Sequence, residues 1–473
     1  MESKSQEPSP HVTSKASVIS AENGYATLET PSTIDEKALL RKIDLRVLPM
    51  LFILYLAAFL DRVNIGNALT LGLPHDLHLK GNESNVALTI FFVPYVVFEV
   101  PSNILLKRFK PHVWLSGCIL AFGIVMLCQG FVQSYSGLLA TRFFLGLAEA
   151  GVFPGSYYLI SFWYKREESQ RRFTVFWCSV LAANMFGGLL ASAIANMHGV
   201  RGYSSWRWVF ILEGIATIIV GISAYFFVAD FPVDVRWLSA QEKDFVITRA
   251  GTQERAASPI TVRKVVSFFG DAKNIVGVFM YFAVIVPTYA YSYFAPTIVK
   301  TLGYSTIETQ LHTVPPVAAA LALCLLSAYL SDLLRLRFPF IVLGFLLTIT
   351  GLAILMTVHH GFHVRYLGIC LVAMGAFSAG PVVICWYVMN LNGHMQRSIG
   401  TAWMISFGNT GGIVATFCFL ANDAPFYHLG YSICMGVVCV GVLAVVLYAG
   451  LVILENNSAR RSDEKERVEK LYL

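Results

Sequence analysis

The chain has 473 residues and carries 35 Lys and Arg against 29 Asp and Glu, a formal net charge of +6. Hydrophobic residues make up 56% of it and charged residues only 14%, whereas soluble domains carry about 25% charged residues. This composition excludes an ordinary soluble protein and favours one embedded in a lipid bilayer. The basic residues lie in short clusters without interleaved aromatic residues, which argues against a nucleic-acid partner.

The amino-terminal segment differs from the rest of the chain. Residues 1–36 are rich in Ser, Glu, Pro and Thr and lack an apolar run, so we expect a disordered tail over residues 1–42. The first apolar run is too long for the core of a signal peptide, and it should remain as a spanning helix. Runs of spanning length then recur along the chain. The twelve predicted spans are 47–71, 86–106, 113–133, 138–162, 173–195, 208–229, 274–298, 311–331, 338–358, 364–388, 400–420 and 431–454.

The distribution of Lys and Arg between the spans predicts the orientation. Placing both termini in the cytosol puts the basic clusters at 107–110 and 165–172 on the inner side. The outer segments then contain few basic residues, as the positive-inside rule requires. One predicted outer loop contains the sequon Asn82-Glu83-Ser84, so Asn82 is a candidate glycosylation site.

A polar linker from Asp230 to Lys273 divides the spans into two sets of six. Within it, residues 238–250 start with Leu-Ser and continue with helix formers, which predicts a short surface helix. The segments 162–188 and 385–412 share Trp-Tyr, Gln-Arg, Asn and a Gly pair, which indicates an internal repeat. We therefore expect an all-α membrane protein with twelve transmembrane helices in two pseudo-symmetric six-helix bundles. The expected parts are a disordered cytosolic tail (1–42), a first bundle (43–229), a cytosolic linker (230–273), a second bundle (274–454) and a cytosolic tail (455–473).

Ionisable residues lie inside two of these spans. Asp61 and Arg62 are near the middle of the first, and Arg142 and Glu149 lie in the fourth. A separation of seven residues is about two helical turns, so Arg142 and Glu149 share one helix face. Charged side chains are costly in a bilayer and mark transport pathways by default, although a structural ion-pair lock is the alternative. We expect the four side chains to form a neutral set around one water-accessible cavity.

The two residue types predict different roles. Arg62 and Arg142 keep their charge at physiological pH and can each bind a carboxylate with two parallel hydrogen bonds. Apolar surroundings favour the neutral form of a carboxylic acid, so Asp61 and Glu149 can take up a proton. Protons are therefore the expected coupling ion, and a proton gradient rather than a cofactor is the expected energy source.

Further polar side chains extend this set. Asn64 lies two residues after Arg62, and it either contacts substrate or joins helices through hydrogen bonds. The seventh span contains four tyrosines between residues 281 and 293. Inward-facing members would stack on a planar substrate, and the others would lie in the outer aromatic belt; Tyr291 is the candidate for contact with substrate. The nine cysteines lie in apolar spans without metal-ligand spacing, so no metal site is expected.

Several motifs resemble a known family. Asp332, followed by Arg335 and Arg337 after the eighth span, is similar to the loop motif of the major facilitator superfamily, in which such residues clamp neighbouring helices. The first-half copy of this motif has Asn103 where an acid is usual. Together with "LDRVNIGNA" and "RFFLGLAEAGVFPGSYYLISFWY", this departure resembles the anion:cation symporter branch, and within it the fungal allantoate and nicotinate permease type. The resemblance covers residues 40–455.

The resemblance implies alternating access and transport of organic anions, commonly coupled to protons. Carried over onto this chain, the first span supplies Asp61 and Arg62, the fourth supplies Arg142 and Glu149, and Asn409 in the eleventh span contacts substrate from the other bundle. The expected function is proton symport of a small carboxylate such as nicotinate, or a ureide such as allantoate. We expect a monomer in the plasma membrane.

Rival functions remain open. The same fold can export a specialised fungal metabolite or move it between compartments, because gradients rather than sequence set the direction. A nutrient sensor that binds substrate without moving it would have a long structured cytosolic extension, which the short tails argue against. A membrane enzyme is not expected, because the loops contain no arrangement of nucleophile and base and no metal cluster.

Overall fold

The structure is a computed structural model that describes residues 35–165, 168–249, 268, 270–358, 361–391 and 393–461. All regular elements in these residues are helices, which confirms the predicted all-α class. Twelve long segments follow the order of the twelve predicted spans. They are α1 Glu36–Thr70, α2 Phe92–Arg108, α3 Pro111–Gln129, α4 Tyr135–Glu149 with its continuation Val152–Trp163, α5 Ser169–Ala195, α6 Ser205–Phe227, α7 Ala272–Lys300, α8 Val314–Leu334, α9 Phe338–Thr357, α10 Phe362–Met389, α11 Gly393–Thr416 and α12 His428–Arg461.

Ten helices in the described residues are long and apolar enough to cross a membrane. The segments outside this group are α2 and α11. A break at Ile90–Phe91 separates α2 from the short helix Glu83–Thr89, which leaves α2 with 17 residues. The first turns of α11 have the polar sequence GHMQRS. These two segments pack against each other, so both lie where the first six segments meet the last six.

Both ends of the chain are helical beyond the predicted spans. The Asp35 carboxylate caps α1 by accepting hydrogen bonds from the backbone N–H of Lys37 at 3.0 Å and Ala38 at 3.3 Å. Residues 36–42 are therefore helical, not part of a disordered tail, and the rest of that predicted tail, 1–34, lies outside the described residues. The last helix likewise continues to Arg461, and residues 462–473 lie outside the description.

The linker contributes a short helix, Ala240–Arg249, within the segment where the sequence predicts one. Its last residue, Arg249, forms ion pairs with Glu36 at the start of α1, at 2.7 Å, and with Glu168 just before α5. The linker helix is thereby attached to two segments of the first half. Residues 250–267 of the linker lie outside the described residues.

The first six and last six segments contact each other at one end through α5. The Arg171 guanidinium pairs with Asp332 of α8 at 3.2 Å, and the Trp177 indole donates a hydrogen bond to the Phe377 carbonyl of α10 at 3.1 Å. A Cβ at Gly380 of α10 would lie 2.5 Å from the Trp177 ring. The two helices are therefore in direct contact at what we call the Asp332 end.

Contacts also close the opposite end, which we call the Thr70 end. The Gln310 amide donates to the Thr70 hydroxyl at 2.8 Å, and the Asn85 amide donates to the Thr416 carbonyl at 2.6 Å. Between the two ends, Gly66 of α1 lies against the backbone of α7, where a Cβ would be 2.4 Å from the carbonyl oxygen of Tyr293. The helices are therefore in an occluded arrangement.

Candidate functional site

The centre of the interface contains an ion pair between α1 and α4. Arg62 donates from Nε to one carboxylate oxygen of Glu149 at 3.1 Å and from a terminal nitrogen to the other. Its remaining terminal nitrogen donates to the hydroxyl of Tyr289 on α7. Both members of the pair are fully buried. This bidentate geometry is the strongest form of Arg–carboxylate contact, and together with Tyr289 it engages all three nitrogens of Arg62.

Arg142 is buried beside this pair but has no carboxylate partner among the described residues. Its two terminal nitrogens lie 3.5 and 3.4 Å from the backbone carbonyl oxygen of Arg62, and within the described residues its Nε has no hydrogen-bond partner. Arg142 therefore belongs to the expected set of four charges without forming an ion pair with a described acid. A buried guanidinium with unused donors attracts an anion.

Asp61 belongs to a separate polar cluster between α1 and α6. One of its oxygens accepts a hydrogen bond from Thr217 at 2.7 Å, and Asn64 donates to Glu213. Asn67 in turn donates to Asn64 at 2.7 Å. The second oxygens of Asp61 and Glu213 have no partner among the described residues. Asn64 thus joins helices here, which is the structural alternative for that residue.

Aromatic rings surround the Arg62 guanidinium. The ring centroids of Phe59, Phe91 and Tyr95 lie 5.3, 5.2 and 4.8 Å from its Cζ, within cation–π range. The Tyr289 hydroxyl continues the hydrogen-bond chain to Asn409 on α11, whose side-chain oxygen is 3.5 Å away. The second half of the chain therefore reaches Arg62 through neutral polar groups.

Tyr291 occupies a different place from Tyr289. Its hydroxyl points to the backbone carbonyl of Thr313 at 3.5 Å, and its ring lines a small cavity with Pro287, Leu352 and Cys434. Tyr289, not Tyr291, is the tyrosine of α7 that hydrogen-bonds to Arg62. Asn409, in contrast, belongs to the network around Arg62, whereas Asn64 belongs to the separate cluster with Glu213.

Glu99 of α2 is a further buried acid at this interface. Its side chain is fully buried, and neither carboxyl oxygen has a hydrogen-bond partner within the described residues. The Asn409 amide and the Ser406 hydroxyl of α11 lie beside this carboxyl group, although neither reaches it with normal hydrogen-bond geometry. The expected neutral set contains two acids and two arginines. Glu99 and Glu213 add two further acids, so four acids accompany the two arginines and the expectation of a neutral set is wrong.

The central side chains are also sealed from solvent. Asp61, Arg62 and Glu149 have no exposed surface, and Arg142 is only 1% exposed. The expected water-accessible cavity is therefore not present in this conformation, because contacts close both ends of the interface. Access requires that one end open.

The loop-motif residues lie at the Asp332 end. Arg337 binds Asp332 at 2.6 Å and also donates to the Ser331 hydroxyl at 2.6 Å, so Asp332 accepts from Arg337 on one oxygen and from Arg171 on the other. Arg335 is exposed and caps α8 in a left-handed conformation, with φ at 55°. It forms no ion pair with another described residue.

The candidate glycosylation residue lies apart from these sites. Asn82 is exposed and directly precedes the helix Glu83–Thr89 in the connection between α1 and α2. No group of three or more His, Cys, Asp or Glu side chains in the described part of the chain is placed to hold a metal ion.

Two acids at the interface, Glu99 and Glu213, were missed by the sequence reasoning. Both lie inside predicted spans, 86–106 and 208–229, so the rule that selected Asp61 and Glu149 would also have found them. Tyr289 was one of the four tyrosines considered, but its selection over Tyr291 depends on how α7 is rotated. That rotation is not encoded in the span itself.

Comparison with known proteins decides the family. The family model of the Major Facilitator Superfamily matches residues 51–416 of this chain. This chain belongs to the major facilitator superfamily. The chain is 32% identical to the MFS-type transporter cnsO of Penicillium expansum over 98% of this chain and 92% of that protein. It is also 32% identical to the major facilitator-type transporter hxnP of Emericella nidulans over 91% and 88% of the two chains.

Solved structures agree on the fold. The proton:xylose symporter XylE has a TM-score of 0.66 at 18% identity, covering 85% of this chain and 95% of that one. An inward-facing bacterial homologue of the human lysosomal transporter Spinster has a TM-score of 0.62 at 16% identity, with the same coverage. The chain is thus a multi-pass membrane protein of a transporter family, and its named relatives are transporters rather than enzymes.

Proposed function

We propose that this protein is a proton-coupled symporter that imports a small organic anion across the plasma membrane, with both termini in the cytosol. The substrate is a carboxylate such as nicotinate or a ureide such as allantoate. The observation that carries the proposal is the buried Arg62–Glu149 pair beside Arg142. It combines a permanent cation, a partner that a proton can neutralise, and a second cation with unused donors.

The proposed cycle follows from these charges. With one end open, a proton neutralises Glu149, which weakens its bidentate contact and frees the donors of Arg62. The anion then binds Arg62 and Arg142, and the open end closes over it. Opening of the other end releases the anion, and loss of the proton restores the ion pair. Asp61, hydrogen-bonded to Thr217, is a second position at which a proton can enter the cycle.

Two comparisons support this proposal at different levels. The motifs of the first and fourth spans resemble the fungal allantoate and nicotinate permease type. The proton:xylose symporter shares the fold, so a fold of this class accommodates proton coupling. Coupling in this chain rests on its own buried acids.

The decisive experiment measures uptake of radiolabelled nicotinate and allantoate in a transport-deficient yeast at two external pH values, followed by reconstitution in liposomes. We expect faster uptake at the lower pH. We expect Glu149→Gln to retain counterflow exchange, because a neutral side chain releases Arg62, but to lose accumulation driven by a pH gradient. Asp244→Asn is the matched control, since Asp244 is an exposed acid of the linker helix.

The outcomes separate the parts of the proposal. Accumulation by Glu149→Gln at the wild-type rate would remove Glu149 from the coupling role. Uptake of the anions without any dependence on a pH gradient would leave an anion transporter that is not a proton symporter. No uptake of any anion by the wild-type protein in either assay would refute the substrate class.

A further inference from the structure

A group of buried polar atoms between α2 and α11 lacks partners. Both carboxyl oxygens of Glu99, the side-chain oxygen of Asn103 and the hydroxyl of Ser406 are buried and have no hydrogen-bond partner among the described residues. Such atoms are rare in folded proteins, because each costs the free energy of its lost hydration. Several at one place therefore indicate a site that a ligand completes.

The pairing of the two helices places these atoms together. Thr89, in the short helix before α2, lies opposite Thr416 of α11, with the two hydroxyls 2.6 Å apart. Because α2 and α11 run in opposite directions in this fold, ten residues further along α2 brings Glu99 opposite Ser406. Glu99 accordingly lies beside the Ser406 hydroxyl and the Asn409 amide, neither of which reaches it with normal hydrogen-bond geometry. Asn103 lies one turn further along the face of α2 that carries Glu99.

This group adjoins the arginine site rather than forming a remote pocket. The side-chain oxygen of Asn409 faces the Tyr289 hydroxyl, which accepts a hydrogen bond from Arg62. Tyr95, whose ring covers Arg62, precedes Glu99 by one turn of α2. A ligand bound to the arginines thus has unpartnered oxygen acceptors at its other side.

The chemistry of these atoms specifies their ligand. A carboxylate and an amide oxygen accept hydrogen bonds, and a hydroxyl can also accept. The arginines supply only donors. We propose that Glu99, with Asn103 and Ser406, binds N–H donor groups of the transported anion, so that the preferred substrates carry a carboxylate at one end and ureide, amide or ammonium N–H groups at the other. This inference rests on the proposed function and narrows its substrate class towards ureides.

A matched pair of ligands tests the inference without a variant. Ureidoacetate carries a carboxylate and ureide N–H donors, whereas levulinate is its isostere in which carbon groups replace both nitrogens. We expect the wild-type protein, purified and reconstituted, to bind ureidoacetate about tenfold more tightly than levulinate, as for hydrogen bonds to a charged acceptor. Both are measured as competitors of radiolabelled allantoate, or directly by calorimetry.

Variants then locate the discrimination. Glu99→Gln keeps the size of the side chain but removes its charge and one acceptor. It should therefore lower the affinity for ureidoacetate about tenfold, while the affinity for levulinate changes less than about threefold. Ser406→Ala should also weaken the binding of ureidoacetate more than that of levulinate, but by a smaller factor than Glu99→Gln. It remains informative if Glu99→Gln does not fold. Monodisperse elution and an unchanged melting temperature identify folded variants.

Several results would overturn the inference while leaving the proposed function intact. The first is equal affinity of the wild-type protein for ureidoacetate and levulinate. The second is an equal loss of affinity for both acids in Glu99→Gln. The third is a Glu99→Gln variant that still discriminates between the two acids but has a changed proton stoichiometry. The last result would make Glu99 a coupling acid. Failure of the wild-type protein to bind either acid, allantoate or nicotinate would instead refute the proposed function, and this inference with it.

Discussion

The two buried arginines differ in how their donors are used. Arg62 is engaged on all sides by Glu149 and Tyr289, whereas Arg142 has only a long contact to a backbone carbonyl. An arriving anion can therefore bind Arg142 without first breaking an ion pair. We expect Arg142 to provide the initial contact and Arg62 to join it once Glu149 is protonated.

Substitution of Arg142 tests this order. Removing one partner of a buried charged contact costs about 2–5 kcal/mol, so Arg142→Ala should lower the affinity for the anion about 30-fold or more. Arg142→Lys retains the charge but not the planar fork, and an intermediate affinity is expected. Substrate binding to the purified protein is the measurement.

The control for this series is Arg236→Ala, which removes an exposed arginine of the linker and should bind as the wild type does. Normal substrate affinity in Arg142→Ala would dismiss Arg142 as the anion anchor. A folded variant with weakened binding and unchanged melting temperature would support it.

The sequence predicts which residues belong to the site more readily than which of them contact each other. Charges within apolar spans identified Arg62, Arg142 and Glu149, because burial of a charge is costly wherever the helix lies. Which arginine pairs with Glu149 depends on the rotation and depth of α1 relative to α4. Tyr289 and Tyr291 are two residues apart and point to opposite sides of α7, so only packing distinguishes them.

At the scale of elements, α1 and α7 form one of the close contacts between the two halves. At Gly66 the neighbouring atom is a backbone carbonyl oxygen, which cannot rotate away as a side chain could. The two helices must therefore separate if a side chain is added there. The same position lies one turn after Arg62, so separation would also move the ion pair.

Gly66→Ala should therefore destabilise the occluded arrangement. Overpacking costs about 1–3 kcal/mol, which corresponds to a shift of about 5- to 150-fold in the equilibrium between closed and open forms. We expect a lower melting temperature and slower uptake. Both can be measured on the purified and reconstituted protein.

Gly117→Ala of α3 is the matched control, because a Cβ at Gly117 would have no heavy atom within 4 Å. It should melt and transport as the wild type does. Wild-type uptake and stability in Gly66→Ala would mean that α1 and α7 are not in this contact during the cycle.

The sequence predicted the number and order of the helices better than their limits. Apolar runs of spanning length define the membrane segments, and the structure has a helical segment for each. The start of α1 is polar and charged, so it escaped a search for apolar runs; its helix is stabilised instead by the Asp35 cap and by the ion pair of Glu36 with the linker. The cap is a local signal that the sequence already contains, whereas the ion pair arises only after folding.

At the scale of the whole molecule, contacts at the Asp332 end and the Thr70 end cannot both persist during transport. Alternating access requires that the ends open in turn. At the Thr70 end, the hydroxyls of Thr89 and Thr416 lie 2.6 Å apart and join the two halves directly. A covalent link at this position should therefore hold one end shut.

The double variant T89C/T416C, made in a background with the exposed Cys128 and Cys439 replaced by Ser, tests this requirement. Oxidation should abolish uptake and reduction should restore it. The control is D76C/S204C, because Asp76 and Ser204 are hydrogen-bonded within the first half, and its disulfide should leave uptake unchanged. Undiminished uptake by oxidised, fully cross-linked T89C/T416C would mean that this end does not open.

The charges of the molecule are divided unevenly between its halves. In the last six segments, residues 274–299, 314–331, 338–357, 366–389, 398–416 and 428–454 contain no Asp, Glu, Lys or Arg, so the charges at the centre of the membrane all belong to the first six. A transmembrane voltage exerts force only on charge, at about 2.3 kcal/mol per elementary charge per 100 mV. For a monovalent anion taken up with one proton, the loaded carrier and the empty carrier hold equal charge. Depolarisation should therefore not change the rate at which one of them reorients relative to the other.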